Sequence, residues 1–124
     1  MVRIFLSPQH SPLEYRFDYE FEGEKVIATL RQREVITREN EVGFEEEIGE
    51  VWNVIGQDSF DFTDMLDGLV ENPSEDIQTD LLFNPIRGAE RVEGVLWLKL
   101  LNFIGSDASY EERFPDWIEV KSND

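Results

Sequence analysis

Cysteine is absent from the 124 residues, and histidine occurs once. Without cysteine the chain has no disulfide, no thiolate zinc or iron–sulfur site and no cysteine nucleophile. The single histidine, His10, lies between Pro8 and Pro12, and no nucleophile motif accompanies it. We expect this segment to be a loop in which His10 is exposed and structural.

Basic residues are scarce: 11 lysines and arginines stand against 28 aspartates and glutamates, which gives a formal net charge of −17. Direct binding to DNA or RNA requires cations that neutralise phosphates, and docking on anionic lipid requires a basic patch. The composition argues against both. We expect instead a protein partner with a basic surface.

Long apolar runs are also missing. The longest run, Val95–Ile104, is interrupted by Lys99 and Asn102, and it is far shorter than the roughly 20 residues of a membrane-spanning helix. The N-terminal apolar stretch ends early, at Ser7 and Pro8, so no secretory segment is indicated and we expect a cytoplasmic protein. The chain length is typical of a single domain, which we assign to the whole sequence.

What is present is a clear β pattern. Apolar and polar residues alternate over 15–21, and a turn at Gly23 leads into a return strand over 25–31. A second hairpin is predicted over 86–92 and 95–103, with a short helix as the alternative for the latter run. The predicted fold is mainly β: a small antiparallel sheet or sandwich of five to seven strands, with or without one short helix.

The acidic segment between the hairpins gives a mixed signal. Residues 34–38 continue the strand pattern. The apolar residues over 44–55 instead recur at helical spacing, and Glu45, Glu46 and Glu47 lie near the start of this segment, where acids suit a helix N-terminus. Two glycines weaken the helix, so both interpretations stay open. A short strand followed by a turn is predicted over 58–68.

Trp52, Trp97 and Trp117 each have apolar neighbours, and we expect them in the core rather than on a binding surface. Four apolar residues of the tail are predicted to dock onto the core as well. They are Phe114, Trp117, Ile118 and Val120.

Aspartates at 58, 61, 64 and 67 followed by Gly68 suggest a calcium loop but fail its register. With Gly68 at the sixth position only Asp67 occupies a ligand position, and the bidentate acid is absent. No phosphate-binding, dinucleotide or hydrolase motif occurs, and carboxylate pairs are too common here to indicate a glycosidase. We therefore assign no catalytic residue, cofactor or metal site; weak Ca²⁺ or Mg²⁺ binding stays open.

Two acidic groups are predicted to contact a partner: Asp18, Glu20 and Glu22 on the first strand, and Glu45, Glu46 and Glu47 after it. The first group alternates along one strand face, so its carboxylates repeat about every 6.8 Å. Such a row resembles a row of phosphates, as in acidic proteins that occupy the cleft of a DNA-binding enzyme. Solubility is the simpler interpretation of these charges, and Arg16 interrupts the row.

Four segments carry a resemblance to known proteins: FDFTDMLDG at 60–68, NPIRGAER at 84–91, GVLWLKLLNFI at 94–104 and ERFPDW at 112–117. Together with the first hairpin, they resemble small uncharacterised proteins encoded among the tail genes of phages and prophages of Gram-positive bacteria. The resemblance does not extend over 34–56, which we interpret as an acidic insertion.

The resemblance implies an accessory protein of tail structure or assembly, in the cytoplasm of the bacterial host or on the virion, with no cofactor and no active site. Tail components assemble through strand edges and loops. The leading hypothesis is therefore a non-enzymatic protein that binds a partner of the tail module. The alternative is an acidic inhibitor that mimics nucleic acid toward a host DNA-binding enzyme, and a third class is a cell-wall hydrolase.

Overall fold

The computed structural model describes residues 1–10, 14–105 and 107–120. This part of the chain contains eight strands, which form two sheets, and two one-turn helices. The prediction of a mainly β fold is confirmed. The elements are β1 (Val2–His10), β2 (Tyr15–Glu22), β3 (Lys25–Glu39), β4 (Glu45–Asp61), β5 (Gly68–Val70), α1 (Pro73–Asp76), β6 (Ile86–Val92), β7 (Val95–Ile104), α2 (Tyr110–Arg113) and β8 (Ile118–Val120).

The strands form a five-stranded sheet in the order β5-β6-β7-β1-β8 and a three-stranded sheet in the order β2-β3-β4. β1 runs parallel to β7, with Val2 opposite Leu96 and His10 opposite Ile104. The described residues thus form eight strands and one parallel pair, rather than five to seven strands that are all antiparallel. The β1–β7 pair joins segments at opposite ends of the chain, which no local pattern reveals, and β5 and β8 are too short to be periodic.

Both predicted hairpins are confirmed. In the first, β2 pairs with β3 and places Phe17 opposite Leu30, both of them buried. In the second, β6 pairs with β7, where Leu96 and Leu98 are fully buried. Val95–Ile104 is therefore a strand and not a helix.

The core lies between the two sheets. Its side chains come from alternate positions of each strand, because successive residues of a strand point to opposite faces. The buried hydrophobic residues of this cluster are Val2, Ile4, Phe17, Val26, Ala28, Leu30, Phe60, Phe62, Ile86, Ala89, Leu96, Leu98, Leu100 and Leu101.

The helix considered for 44–55 is not formed, because β4 runs through the whole segment. Two register shifts in the β3–β4 pairing leave Ile48 and Ile55 of β4 without a directly opposed residue. Each bulge adds one residue and breaks the alternation with period two. Apolar side chains therefore recur at intervals of three and four residues in a strand. The interpretation of 34–38 as strand is confirmed, and the strand predicted after residue 58 is the end of β4.

The tryptophan prediction is wrong. Trp52 and Trp97 are only partly buried, Trp117 is 38% exposed, and none of the three belongs to the core. Trp97 packs against Trp117 at 5.0 Å between ring centroids, outside the buried cluster. Apolar neighbours in the sequence do not indicate which face of a strand a side chain occupies.

The tail prediction is right for one residue of four. Val120 packs against the core, since β8 pairs with β1 and places it opposite Val2. Phe114 and Ile118 are 66% and 49% exposed.

The prediction for His10 is right in part. His10 is exposed as predicted, but it is the last residue of β1 and does not lie in a loop. The rest of the predicted loop, from residue 11, is outside the described residues.

Arg91 connects the two sheets at one end of the sandwich. Its guanidinium donates Nη1–H to Glu24 Oε2 at 2.8 Å and Nη2–H to Glu24 Oε1 at 3.1 Å. It also donates to the backbone carbonyls of Met65 (2.7 Å), Phe62 (2.8 Å) and Gly94 (2.9 Å). These five bonds match the five donors of an arginine. The bonds to Glu24 raise the pKa of Arg91, which stays charged at all accessible pH.

Tyr19 connects the sheets at another point. Its hydroxyl donates to the backbone carbonyl of Leu101 at 2.5 Å. Desolvation by burial raises the pKa of Tyr19 well above its usual range, because the phenolate would be charged in an apolar site. Tyr19 also stacks on Phe17 at 5.8 Å, and Phe17 on Phe103 at 5.9 Å, so the aromatic stripe of β2 is part of the inter-sheet packing.

Replacing Arg91 with methionine leaves the Glu24 carboxylate and three carbonyls without their donor. Removing one partner of a buried ion pair costs about 3–5 kcal/mol, so we expect R91M to lower the free energy of unfolding by that amount in urea denaturation. Arg38, in an exposed ion pair with Glu46, is the matched control, and R38M should cost about 1 kcal/mol or less. Equal small effects would contradict the role of Arg91. If R91M does not fold, R91K provides the intermediate value.

Replacing Tyr19 with phenylalanine removes one hydrogen bond and leaves the Leu101 carbonyl unpaired, so we expect a loss of about 1–3 kcal/mol at neutral pH. The raised pKa predicts a pH effect of defined sign. Above pH of about 10 the tyrosine ionises in the unfolded chain but not in the folded one, so the unfolded state binds fewer protons and stability falls as pH rises. Thermal unfolding from pH 8 to 11 should show a shallower fall in Y19F than in the wild type.

Candidate protein-interaction surface

The feature that projects from the sandwich is a long β-hairpin, residues 34–55, which we call the arm. Beyond Leu30 of β3 the core ends, but the two strands stay paired, with Glu34 opposite Val51 and Arg38 opposite Glu46. None of the arm residues is buried. The arm segment of β4, residues 45–55, extends about 34 Å at the usual strand rise of about 3.4 Å per residue.

The arm ends in a tight turn that its own sequence builds. The Asn40 side-chain oxygen accepts backbone N–H bonds from Val42 and Phe44, each at 3.1 Å. The backbone N–H of Asn40 donates to the Phe44 carbonyl at 2.8 Å. Gly43 adopts a positive φ of 85°, which glycine tolerates without steric cost. Asparagine and glycine at these positions are typical turn residues, so the tip is a defined structure.

Apolar side chains are exposed along the arm. Large exposed apolar patches in folded proteins mark interaction sites, whereas scattered single residues need no explanation. Here seven lie within one hairpin that has no apolar layer to cover it. Their exposed fractions are Ile36 41%, Val42 75%, Phe44 71%, Ile48 53%, Val51 39%, Val54 55% and Ile55 45%.

The arm is also strongly acidic, with seven glutamates and a single cationic residue, Arg38. Arg38 donates to Glu46 at 3.0 Å, and Arg33 at the base donates to Glu50. The hydrogen bond from Arg33 lowers the pKa of Glu50 below its ordinary value. In the described residues Glu45 and Glu47 are exposed and outside the ion pairs, so the tip of the arm presents uncompensated negative charge.

The row on β2 has a different character. Asp18, Glu20 and Glu22 share the strand face turned away from the core, as their spacing predicts. Asp18 is paired with Arg31 at 2.7 Å and with Arg16 at 3.4 Å, and Glu22 with Lys25 at 3.5 Å. The cross-strand cations of β3 therefore neutralise two of the three carboxylates.

The structure does not bring the two predicted acidic groups together. Glu22 lies opposite Lys25, at the start of β3, whereas Glu46 lies opposite Arg38, near the end of the same strand. At about 3.4 Å per residue, the two groups are roughly 40 Å apart. A single partner surface of ordinary size would contact one group or the other.

Sequence reasoning missed the most informative property of the arm, its open strand edge. β4 is the last strand of its sheet, and in the described residues no strand pairs with its outer edge. Near Asp58, Thr79 donates to that carboxylate at 2.7 Å and Leu81 lies beside Gly56, so 79–81 lie against the core-facing side of β4. From 45 to 55 nothing in the described chain pairs with the outer edge. Position in a sheet is a tertiary property, so no residue pattern signals it.

A shallow groove of about 400 Å³ is a second surface feature, on the five-stranded sheet. Trp97 and Trp117 form one wall, and Arg3 lies over the Trp97 ring at 4.7 Å from its centroid. Lys99 and Glu90 both line the groove, so it has no single sign of charge. It offers aromatic contact area but does not indicate one class of ligand.

Three of the four aspartates of 58–67 make local hydrogen bonds: Asp58, Asp61 and Asp67. Asp61 accepts hydrogen bonds from the hydroxyl and the N–H of Thr63 at 2.6 and 3.0 Å, and these lower the pKa of Asp61. Asp67 accepts from the Gly94 N–H at 3.3 Å. The described residues contain no group of three or more side chains placed to hold a metal ion.

Both described helices are single turns, and neither has the length and apolarity to cross a membrane.

Comparison of the chain with known protein families, with curated proteins and with solved structures found no match. The interpretation of the arm therefore depends on its residues and geometry.

The arm can be shortened to test whether it is separable from the core. Glu34 and Val51 are register partners, so replacing 35–50 by Asn-Gly closes the hairpin with a two-residue turn. Because no arm residue is buried, we expect the free energy of unfolding of this arm-shortened variant to change by about 1 kcal/mol or less. Urea denaturation and circular dichroism measure this. Loss of the fold would contradict the description of the arm as an appendage.

Proposed function

We propose that this protein is a non-enzymatic binding module that recognises another protein through the arm. The observation that carries the proposal is the combination found over 45–55: an open strand edge, exposed apolar side chains and uncompensated glutamates on one projecting hairpin. Exposed edges of this length are normally blunted or covered in a protein that acts alone. An edge kept open and surrounded by acids is suited to a partner that covers it.

The acidic charge has a role in this proposal. A formal net charge of −17 makes copies of the chain repel one another, which counteracts the tendency of an open edge to pair with itself. A partner with a basic surface is attracted by the same field. Selectivity thus comes from charge, whereas the apolar side chains and backbone groups supply the contacts that persist in salt.

The resemblance of 60–68, 84–91, 94–104 and 112–117 to tail-region proteins of phages and prophages supports a narrower proposal. We assign the protein to the accessory components of a tail module, in the cytoplasm of the bacterial host or on the virion. Its partner would be a tail protein. No catalytic residue and no cofactor form part of this proposal.

Mimicry of nucleic acid receives less support from the described residues. A phosphate-like row requires free carboxylates at a regular spacing, and Asp18 and Glu22 are neutralised by arginine and lysine side chains. Glu45 and Glu47, which no ion pair of the described residues includes, are at the tip of the arm, on a hairpin that also exposes apolar residues.

The test is an affinity capture with the tagged full chain and the tagged arm-shortened variant, from infected and uninfected lysates, at low and moderate salt. Mass spectrometry identifies the bound proteins. We expect tail proteins with the full chain, retained at moderate salt, and none with the variant. Equal recovery with both proteins would overturn the assignment to the arm. Recovery of a host DNA-binding enzyme that added DNA displaces would favour mimicry.

A further inference from the structure

We infer that the arm binds its partner by strand addition, and that the added strand is cationic at one end and apolar at the other. This inference rests on the proposed function and specifies the chemistry of the partner. It follows from three properties of β4: the part of its outer edge that is open, the part of its pairing with β3 that has no bulge, and the change in charge along the strand.

The outer edge of β4 is the longest open edge of the three-stranded sheet. β2 covers the outer edge of β3 as far as Gln32, and the Arg33 N–H donates to the Glu14 carbonyl at 2.7 Å. The open part of β3 is thus limited to 34–39, whereas β4 is open over 45–55. In a strand, alternate residues point their N–H and C=O groups to the same edge, so an extended segment alongside β4 finds a row of donors and acceptors.

The regular part of this edge lies between the two bulges. Ile48 and Ile55 interrupt the β3–β4 register, and 49–54 form an uninterrupted run between them. A bulge twists a strand and disturbs its ladder, so an added strand pairs best over 49–54. Five or six residues is a common length for a β-strand.

The chemistry of the edge changes between the base of the arm and the residues that lie beyond the Ile48 bulge, toward the tip. At the base, Val51, Val54 and Ile55 are 39%, 55% and 45% exposed. Toward the tip the edge reaches Glu45, Glu46 and Glu47, of which only Glu46 has a cationic partner in the described residues. A complementary strand therefore carries apolar side chains opposite the base and two or three lysines or arginines opposite the tip.

A second copy of this chain is the poorer occupant. Its arm carries the same seven glutamates and one arginine, so two arms repel each other as they approach. A cationic partner gains from the same charges, and its attraction to the tip weakens as salt screens it.

The test uses labelled synthetic peptides and the full chain, with binding measured by fluorescence anisotropy at low and physiological salt. One peptide has three lysines followed by alternating valine and threonine, and a second has the reverse order because the direction of pairing is open. One control has the same composition with the lysines dispersed. A second control has the ordered sequence with N-methylated backbone nitrogens in its valine–threonine part, which removes the backbone donors without changing side chains or charge.

We expect one of the two ordered peptides to bind and both controls to bind at least about tenfold more weakly. The variant E45Q/E46Q/E47Q should weaken binding about tenfold, as the loss of three exposed charge contacts implies. The matched control D64N/E71Q/E75Q removes three exposed acids outside the arm, and it should change the affinity less than about twofold.

Equal weakening by both triple variants would overturn the inference, because attraction would then be general. Unchanged binding of the N-methylated peptide would also overturn it, since strand addition needs backbone hydrogen bonds. Arm-dependent dimerisation in analytical ultracentrifugation would assign the edge to a second copy. If the captured partner depends on the arm but no peptide binds, strand addition fails and the proposed function stands. If capture is independent of the arm, the proposed function fails whatever the peptides do.

Discussion

The contact on which the sandwich depends is the set of five hydrogen bonds made by Arg91. This side chain belongs to the five-stranded sheet, but its bonds to Glu24 and to the Phe62 carbonyl reach the turn and the strand end of the three-stranded sheet. The cost of burying a guanidinium is offset because its donors all have partners. Apolar packing is non-directional, so this contact, together with the hydrogen bond from the Tyr19 hydroxyl to the Leu101 carbonyl, specifies how one sheet is placed on the other.

The three strands of the smaller sheet differ in length. Its first strand is short and lies over the core, while β3 and β4 continue well beyond it. The arm is the consequence: a hairpin anchored in a rigid sandwich at its base and closed by the Asn40 turn at its tip. A hairpin that is already folded lowers the ordering cost of the binding proposed for it.

The two acidic surfaces, on β2 and at the tip of the arm, differ in how far their charge is compensated. On β2 the acids are matched by arginines and lysine across the strands, so that surface is nearly neutral despite its many carboxylates. At the arm tip the acids outnumber their partners. Net charge alone describes neither surface, because the effect of a carboxylate depends on the nearest cation, and that neighbour is set by strand register.

The sequence by itself determined the mainly β class and both hairpins, because alternation and turn residues act between near neighbours. It left Val95–Ile104 open between a strand and a short helix, and pairing with β1 and β6 decided for the strand. The parallel β1–β7 pair, the exposure of the tryptophans, the strand in place of a helix at 44–55 and the open edge of β4 were decided only by the tertiary structure. Each depends on which strand lies beside which, or on where a bulge falls in the register, and these follow from packing between segments distant in the chain.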